Sequence, residues 1–277
     1  MVAIGGTGNV GQPIIRGLIE KQFDVLVVSR DTKKAKELFG DKVKYAELAD
    51  YSDIGKVTKV LEGYEVLICS LSSRSGALKS QDDLIKAAKA AHIKRFIPSE
   101  WAWEKSEAFI KDEKMKIRKL IEASGMEWTY FNVGYFSEYI WSSWFGFDIP
   151  KREFNVVGSK DSKISHTDLV TIGKYAAAFI NDPSSKNATV EFATETLTYG
   201  EAFEKLEKLL GTKLTPKYTS PSVHKEIFEK DGKTEATLFD QLKYDIGVGN
   251  VVIKNSQHTK FPEIKGLTFE QFAAKQK

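Results

Sequence analysis

Short apolar and β-branched runs alternate with longer segments of helical periodicity through the first 132 residues. This alternation is typical of a parallel sheet covered by helices on both faces, because each crossover between parallel strands needs a helix-length segment. The predicted strands are Val2 to Gly5, Asp24 to Val28, Val43 to Ala46, Val66 to Cys69, Arg95 to Ile97 and Trp128 to Phe131. The predicted helices are Val10 to Glu20, Thr32 to Leu38, Ile54 to Leu61, Gln81 to Ala91 and Glu107 to Ala123. The fold class is therefore α/β with a doubly wound sheet, whose ligand is expected at the carboxyl ends of the strands.

The regular alternation stops after about residue 132. An aromatic stretch and the run Phe154-Asn-Val-Val-Gly158 come next, followed by a predicted helix from His166 to Ile180 and a predicted strand from Thr189 to Ala193. Two amphipathic helices are predicted further on, from Tyr199 to Leu210 and from Phe269 to Ala274. We therefore predict a first domain over residues 1–132 and a smaller C-terminal lobe over residues 133–277. Residues from about 166 to 195 are expected to return to the sheet.

Composition removes several classes of function. The 277 residues are 42% hydrophobic and 29% charged, which is ordinary for a globular protein. A net charge of +3 is too balanced for a protein that gains affinity by neutralising nucleic-acid phosphates. With one cysteine, Cys69, the chain cannot form an internal disulfide. Its four histidines are scattered and do not show the spacing of metal ligands. Without a signal-peptide pattern or a long apolar stretch, the chain is expected to be soluble and cytoplasmic and not to bind membranes.

The strongest local motif is the run Gly5-Gly6-Thr7-Gly8-Asn9-Val10-Gly11. It follows an apolar strand and opens a helix. In this context glycines permit a tight turn, a close backbone approach to a pyrophosphate and close packing of the helix. The run therefore predicts a dinucleotide site, and the alternative is a glycine-rich turn that holds no ligand.

The choice of dinucleotide depends on residues about twenty positions further on, where NAD-binding proteins place an acidic residue at the end of the second strand. This chain has Ser29-Arg30-Asp31-Thr32-Lys33-Lys34 there. A guanidinium pairs bidentately with a phosphate, and Lys34 adds a second positive charge, so NADP(H) is favoured over NAD(H). Two other interpretations stay open: the cations are merely solvated at a helix start, or Asp31 binds a ribose hydroxyl.

Lys114 occupies an unusual position on the predicted helix from Glu107 to Ala123. At about 100° per residue it lies about 40° from Ile110, at the margin of the apolar stripe and beside Ile117 and Ile121. One interpretation is that its apolar stem packs while the ammonium reaches water. The other is that the ammonium lines a cleft, where partial desolvation makes it a proton donor or an electrostatic contact for a substrate oxygen.

Ten aromatic residues fall between Trp128 and Phe147, which is more than one strand and a loop need for packing. Such a density can line a pocket for a flat or apolar ligand. The alternative is that some of these rings form strand core and others a surface for a protein partner. The candidates for substrate contact in this stretch are Tyr135, Phe136, Tyr139 and Trp144.

Taken together, these motifs resemble those of the NmrA-like and isoflavone-reductase-like group of atypical short-chain dehydrogenases, over nearly the full length. The resemblance is carried by Gly5-Gly-Thr-Gly-Asn-Val-Gly11, Arg30, Arg95-Phe-Ile-Pro-Ser-Glu-Trp101, Lys114-Met-Lys-Ile-Arg-Lys-Leu-Ile-Glu122 and Trp128-Thr-Tyr130. It implies a Rossmann domain that binds NADP(H), a C-terminal lobe that binds the substrate, and NADPH-dependent reduction of aromatic or otherwise apolar small molecules. Gly134-Tyr135-Phe136 looks more like the fungal branch than the plant reductases, and Trp101 stands where phenylalanine is common, so plant substrates are not carried over.

The resemblance also assigns roles to residues. The catalytic position of the Lys-x-x-x-Arg segment is Lys114, the residue that the helical-face argument selects. Cofactor contacts are expected from Gly5, Thr7, Gly8, Asn9, Val10, Gly11, Arg30, Lys34, Leu71, Ser72, Pro98, Ser99 and Glu100, and substrate contacts from Trp101 and the four aromatic residues above. Alternatives to the reductase are a non-catalytic NAD(P)-sensing regulator that binds a protein partner, and a redox-neutral isomerase or cyclase on the same scaffold.

Overall fold

The computed structural model of the chain describes residues 1–74, 76–103, 105–106 and 108–277. They form two compact units that each take several stretches of the chain. Unit 1 comprises Met1–Trp101, Asp112–Phe131 and Ile172–Val190, and unit 2 comprises Ala102–Lys111, Asn132–Thr171 and Glu191–Lys277. The assignment of cofactor and substrate to separate parts of the chain stays a prediction.

The described strands fall into three sheets. They are β1 (Val2–Ile4), β2 (Leu26–Ser29), β3 (Lys44–Glu47), β4 (Val66–Cys69), β5 (Arg95–Ile97), β6 (Glu127–Asn132), β7 (Tyr135–Phe136), β8 (Phe147–Asp148), β9 (Glu153–Val157), β10 (Lys163–Thr167), β11 (Ala188–Glu191), β12 (Glu195–Thr198) and β13 (Lys217–Thr219). The described α-helices are α1 (Gly11–Glu20), α2 (Thr32–Phe39), α3 (Ile54–Leu61), α4 (Gln81–Ala90), α5 (Ile110–Ser124), α6 (Ser137–Ile140), α7 (Leu169–Ile180), α8 (Tyr199–Leu210), α9 (Pro221–Asp231), α10 (Leu238–Gly247) and α11 (Phe269–Ala274).

Unit 1 is built on a seven-stranded sheet in the order β11-β6-β5-β4-β1-β2-β3. The neighbours from β6 through β3 pair in parallel. Because the strand order reverses between β1 and β4, the sheet has a switch point at that pair, where ligands of doubly wound sheets bind. Strands β1, β2 and β4 are buried throughout, as their continuous apolar runs require. The predicted α/β fold is confirmed, and the first six strands lie within a residue or two of their predicted bounds.

Unit 2 contains two three-stranded sheets, in the orders β12-β10-β7 and β13-β9-β8. Its core is rich in aromatic side chains, with Trp141, Phe147 and Phe269 fully buried. Trp141 meets Phe269 edge to face at 4.7 Å between ring centroids, and Phe147 stacks with Phe203 at 5.1 Å. Much of the aromatic stretch is therefore core, because rings of this size must be removed from water somewhere.

Two helices begin later than the sequence predicts. The helix predicted from His166 begins at Leu169, and His166 lies in β10, paired with Glu195 of β12 and Tyr135 of β7. The prediction was wrong at this end because Asp168 accepts a hydrogen bond from the Thr171 amide at 3.0 Å, the bond that begins a helix, and the residues before it pair in a sheet. In the first domain, the helix predicted from Glu107 begins at Ile110, and Glu107 itself lies outside the described residues.

Candidate active site at the carboxyl edge of the sheet

The glycine run from Gly5 to Gly11 connects β1 to α1 and follows the carboxyl end of a central strand. Gly5 has φ +78°, and a Cβ there would lie 2.5 Å from the Ser70 carbonyl oxygen. A Cβ on Gly11 would lie 2.3 Å from the carbonyl oxygen of Gly5. Side chains at these two positions would push the turn apart, so the tight turn requires glycine there.

The amino end of α1 suits an anion. Gln12 donates its amide N–H to the Gly8 carbonyl at 3.0 Å and Pro13 has no N–H, so of the first three residues of α1 Gly11 is the one whose amide can face an anion. The N-cap residue of α1 is Val10, whose apolar side chain makes no capping hydrogen bond, and the first turn carries no acidic residue. Gly8 and Asn9 are exposed at the turn, while Thr7 and Val10 are half-buried, and Gln12 Nε2 donates to the Thr7 carbonyl at 3.0 Å. The turn therefore fits a pyrophosphate in both shape and charge.

Arg30 and Lys34 flank the start of α2, and both are exposed. Within the part of the chain that the structure describes, neither side chain has an ion pair. Asp31 caps α2 by accepting a hydrogen bond from the Lys34 amide at 2.9 Å. One Asp31 carboxylate oxygen is thus used inside the protein, while the two cations are free to meet a phosphate.

The loops after β4 and β5 are tied to each other. Ser99 Oγ donates to the Leu71 carbonyl at 2.7 Å, and the Ser99 amide donates to Gln81 Oε1 at 2.9 Å. Ser72 Oγ accepts from the Arg74 amide at 3.0 Å. Gln81 is fully buried, and the sequence analysis missed it because its position on a helix gives no sign of the loop it holds. The structure thus brings Leu71 and Ser99 together, next to the predicted contacts Ser72 and Pro98.

Lys114 points its ammonium at the loop after β5. Its Nζ donates to the Glu100 carbonyl oxygen at 2.9 Å and lies 3.9 Å from the Glu100 carboxylate oxygen Oε2. The side chain is 14% exposed, so the ammonium does not reach freely into water. Burial is the largest influence and lowers the pKa of Lys114; the Glu100 carboxylate opposes this, and the Arg118 charge adds to it. Because Glu100 follows a strand parallel to β1, the ammonium lies at the same edge of the sheet as the glycine turn.

Glu100 is held more strongly by Arg118 than by Lys114. Arg118 Nε donates to Oε1 at 3.1 Å and Nη2 donates to Oε2 at 3.0 Å, a bidentate pair. The carboxylate is 5% exposed and engaged inside the protein, and a role of Glu100 in cofactor binding stays a prediction. Arg118 was missed as a site residue, although its spacing four residues after Lys114 places both on one face of α5.

The predicted substrate residues differ in their surroundings. Trp101 is buried, donates from Nε1 to the Cys69 carbonyl at 2.8 Å and stacks on Phe131 at 4.9 Å. Tyr135 is also buried, stacked on Trp103 at 4.9 Å.

The other three predicted residues lie closer to the surface of unit 2. Tyr139 is 5.7 Å from Phe136 and stacks with Trp144 at 5.8 Å between ring centroids, and Trp144 is 59% exposed. Phe136 and Tyr139 are half-buried. These three rings form a connected group, and their contact with a substrate stays a prediction.

Comparison with known proteins decides the family, because the NmrA-like family matches residues 1–273. The chain belongs to the NmrA-like family. This family member is 28% identical over 239 residues, 77% of each chain, to the bifunctional pinoresinol-lariciresinol reductase of Forsythia intermedia. Its fold is similar to that of AtPrR2 with NADP+ and (+)-pinoresinol, with a TM-score of 0.88 and 21% identity over 100% of this chain and 98% of the other. It is also similar to the leucoanthocyanidin reductase–NADPH complex of Vitis vinifera, with a TM-score of 0.86 and 20% identity over 99% and 98% of the two chains.

These similarities confirm the predicted family and the Rossmann-type fold. The assignment to a fungal-type branch stays a prediction. No described helix is both long and apolar enough to cross a bilayer.

Proposed function

We propose that this NmrA-like protein is an NADP(H)-dependent reductase of an aromatic or otherwise apolar small molecule, in which Lys114 stabilises or protonates the substrate oxygen. The named relative is a reductase, and the two similar structures hold NADP+ or NADPH, in agreement with an NADP(H)-dependent oxidoreductase. The observation that carries the proposal is the buried Lys114 ammonium at the edge of the sheet where the glycine turn lies.

The chain's own residues divide the work of binding the cofactor. The turn from Gly5 to Gly11 and the amino end of α1 bind the pyrophosphate through backbone N–H groups. Arg30 and Lys34 hold the 2′-phosphate through a bidentate guanidinium contact and a second positive charge. Ser99 and Leu71, fixed to each other by a hydrogen bond of 2.7 Å, keep the neighbouring loops in one arrangement. NADPH supplies a hydride when it is bound.

Lys114 supplies a proton or a positive charge to the substrate oxygen that gains negative charge during the reduction. A desolvated ammonium holds its proton less tightly than one in water, so Lys114 Nζ can release a proton to an oxygen that gains negative charge. Groups that stabilise such developing charge typically contribute about 100-fold to 1000-fold in turnover. The burial of Lys114 strengthens the interaction because little water competes for it.

The test is NADPH oxidation, followed by absorbance, with a panel of aromatic enones, phenolic ethers and aldehydes. We expect turnover with at least one class, and a loss of about 100-fold or more in Lys114→Met with the Kd of NADPH unchanged. Lys119→Met, an exposed lysine of the same helix, is the control and is expected to keep wild-type turnover.

Two results would overturn the proposal. Tight NADPH binding without oxidation across the panel is what a non-catalytic regulator would give. Formation of product without net NADPH oxidation would instead indicate a redox-neutral isomerase or cyclase. Full turnover in Lys114→Met would remove the role of the lysine alone.

A further inference from the structure

The carboxylate of Glu100 lies between two cations of α5 and is shared unequally. Both of its oxygens accept hydrogen bonds from Arg118, at 3.0 and 3.1 Å. The Lys114 ammonium stays 3.9 Å from the nearer oxygen and donates instead to the main-chain carbonyl of Glu100. All three side chains are largely buried, with exposed fractions of 5% for Glu100, 11% for Arg118 and 14% for Lys114.

Arg118 is fixed from its other side as well. Its guanidinium carbon lies 4.4 Å from the centre of the Tyr130 ring, a cation–π contact. The Tyr130 hydroxyl donates to Glu122 Oε1 at 3.1 Å and lies 3.4 Å from the Arg118 carbonyl oxygen. The guanidinium is therefore held over Glu100 by a ring from β6, and its planar fork matches the two carboxylate oxygens.

Without this arrangement the carboxylate would turn to the ammonium. Two buried opposite charges at about 4 Å attract strongly in a medium of low polarity, and a freed carboxylate would close that distance. An ammonium paired in that way binds its proton more tightly and has fewer N–H groups to offer a ligand.

We propose that Arg118 is a positioning residue for Lys114: by occupying both carboxylate oxygens of Glu100, it keeps that carboxylate from hydrogen-bonding to the ammonium and leaves Lys114 available to a substrate oxygen. The catalytic consequence rests on the proposed function, whereas the electrostatic arrangement does not. The charged groups that face Lys114 are Glu100, from the loop after β5, and Arg118, from its own helix. The Tyr130 ring contacts the opposite side of Arg118, and Glu122 accepts a hydrogen bond from the Tyr130 hydroxyl.

The test is an NMR titration of the Lys114 ammonium in the full chain without cofactor, with the signal assigned from Lys114→Met. Arg118→Met removes a positive charge and frees the carboxylate, so the pKa of Lys114 is expected to rise by at least one pH unit. Glu100→Gln removes the negative charge and leaves Arg118, so this pKa is expected to fall. Loss of the two fixed charges alone would give shifts of these signs, so their sizes must be compared in a double variant.

The double variant, Glu100→Gln with Arg118→Met, separates release of the carboxylate from loss of the Arg118 charge. In the Glu100→Gln background, Arg118→Met can act only through the lost charge. The rise that it causes in the pKa of Lys114 must therefore be smaller than in the wild-type background. Equal shifts in the two backgrounds would overturn the proposal. Lys116→Met is the matched control, because it removes one positive charge from the same helix. Lys116 is 53% exposed and pairs with Asp82, so the pKa of Lys114 is expected to be unchanged in this variant.

Arg118→Lys covers the case in which Arg118→Met does not fold. Lysine at this position keeps a counter-ion for Glu100 but lacks the planar guanidinium fork, so a smaller rise in the pKa of Lys114 is expected. No shift at all would contradict the proposal.

In an active enzyme, the alkaline limb of the pH profile of kcat must move in the same direction as the pKa of Lys114 in each variant. If the pKa of Lys114 shifts as expected but the wild type does not oxidise NADPH, the reductase proposal fails and the positioning role of Arg118 is kept. If the wild type is active but the pKa of Lys114 does not shift in Arg118→Met, the positioning role fails and the reductase proposal is kept.

Discussion

Gly17 of α1 and Gly173 of α7 lie backbone to backbone within unit 1. A Cβ on Gly17 would come within 2.3 Å of the Gly173 carbonyl oxygen, and a Cβ on Gly173 within 2.0 Å of the Pro13 carbonyl oxygen. Neither oxygen belongs to a flexible side chain that could turn away. The two helices can therefore approach this closely only because both positions are glycine.

Alanine at either position is expected to destabilise the protein. Overpacking of this kind typically costs about 1 to 3 kcal/mol, and here it outweighs the usual helical gain of alanine over glycine. Denaturant unfolding of Gly17→Ala and Gly173→Ala should show a lower midpoint. Gly55→Ala, in the exposed first turn of α3 where a Cβ meets nothing closer than 3.6 Å, is the control and is expected to be neutral or stabilising. Unchanged midpoints in both glycine variants would show that the helices can move apart freely.

Arg30→Ala is expected to weaken binding of NADPH far more than binding of NADH. In the proposed site the exposed guanidinium pairs bidentately with the 2′-phosphate, which NADPH carries and NADH lacks, and a charge-assisted hydrogen bond contributes about 1.5 to 3 kcal/mol. Calorimetry of both dinucleotides measures the difference. Lys36→Ala removes a charge from the other end of α2, where Lys36 lies 3.6 Å from Asp41, and should leave the NADPH to NADH ratio as it is. Equal losses for the two cofactors in Arg30→Ala would remove Arg30 from the phosphate site.

Trp144 and Trp141 lie three residues apart in the aromatic stretch and are expected to respond differently to truncation. Trp141 is fully buried, so Trp141→Ala should lose about 3 to 5 kcal/mol of stability. Trp144 is 59% exposed and stacks on Tyr139, so Trp144→Ala should keep the fold and raise KM for the aromatic substrate without a matching fall in kcat. Denaturant unfolding and steady-state kinetics of the two variants distinguish a core role of Trp141 from a substrate-binding role of Trp144. An unaltered KM in Trp144→Ala would show that this ring does not contact the substrate.

Glu195 should make the stability of the protein sensitive to acid. Burial by itself raises the pKa of this carboxyl, but His166, the Lys205 ammonium and the Phe269 amide together outweigh it and hold the pKa at about 2. Since the folded value is below the ordinary one, this stabilisation is fully present above about pH 4.5 and is lost as the pH falls towards 2.

Glu195→Gln should therefore lower the free energy of unfolding by about 2 kcal/mol at pH 7. This is less than the full pKa difference implies, because water screens a partly exposed carboxylate. The loss should become smaller at low pH, where the wild-type carboxyl is protonated as well. Urea unfolding between pH 2 and pH 7 measures this difference. Glu204→Gln, at an exposed position on α8, is the matched control and should follow the wild-type curve. A constant gap between wild type and Glu195→Gln at every pH would contradict the assigned role.

Local pattern predicted the elements of the first domain because each of them is defined by its own residues. The strand Val66–Cys69 and the helix Ile54–Leu61 match their predicted bounds, since apolar runs and periodic stripes are properties of short windows. The same approach failed at His166, whose strand is defined by partners as distant as Tyr135 and Glu195. The pattern of a segment does not say which distant segment it pairs with.

The sequence by itself determined the α/β class, the glycine turn and the position of Lys114 at the margin of the apolar stripe, because these follow from chain geometry over a few residues. Only the tertiary structure decided that Arg118 binds both carboxylate oxygens of Glu100 and that Trp101 lies buried against Phe131. The physical reason is that a contact between a helix and a loop depends on the order of the strands beneath them. Strand order is fixed by the packing of the whole sheet and not by any one segment.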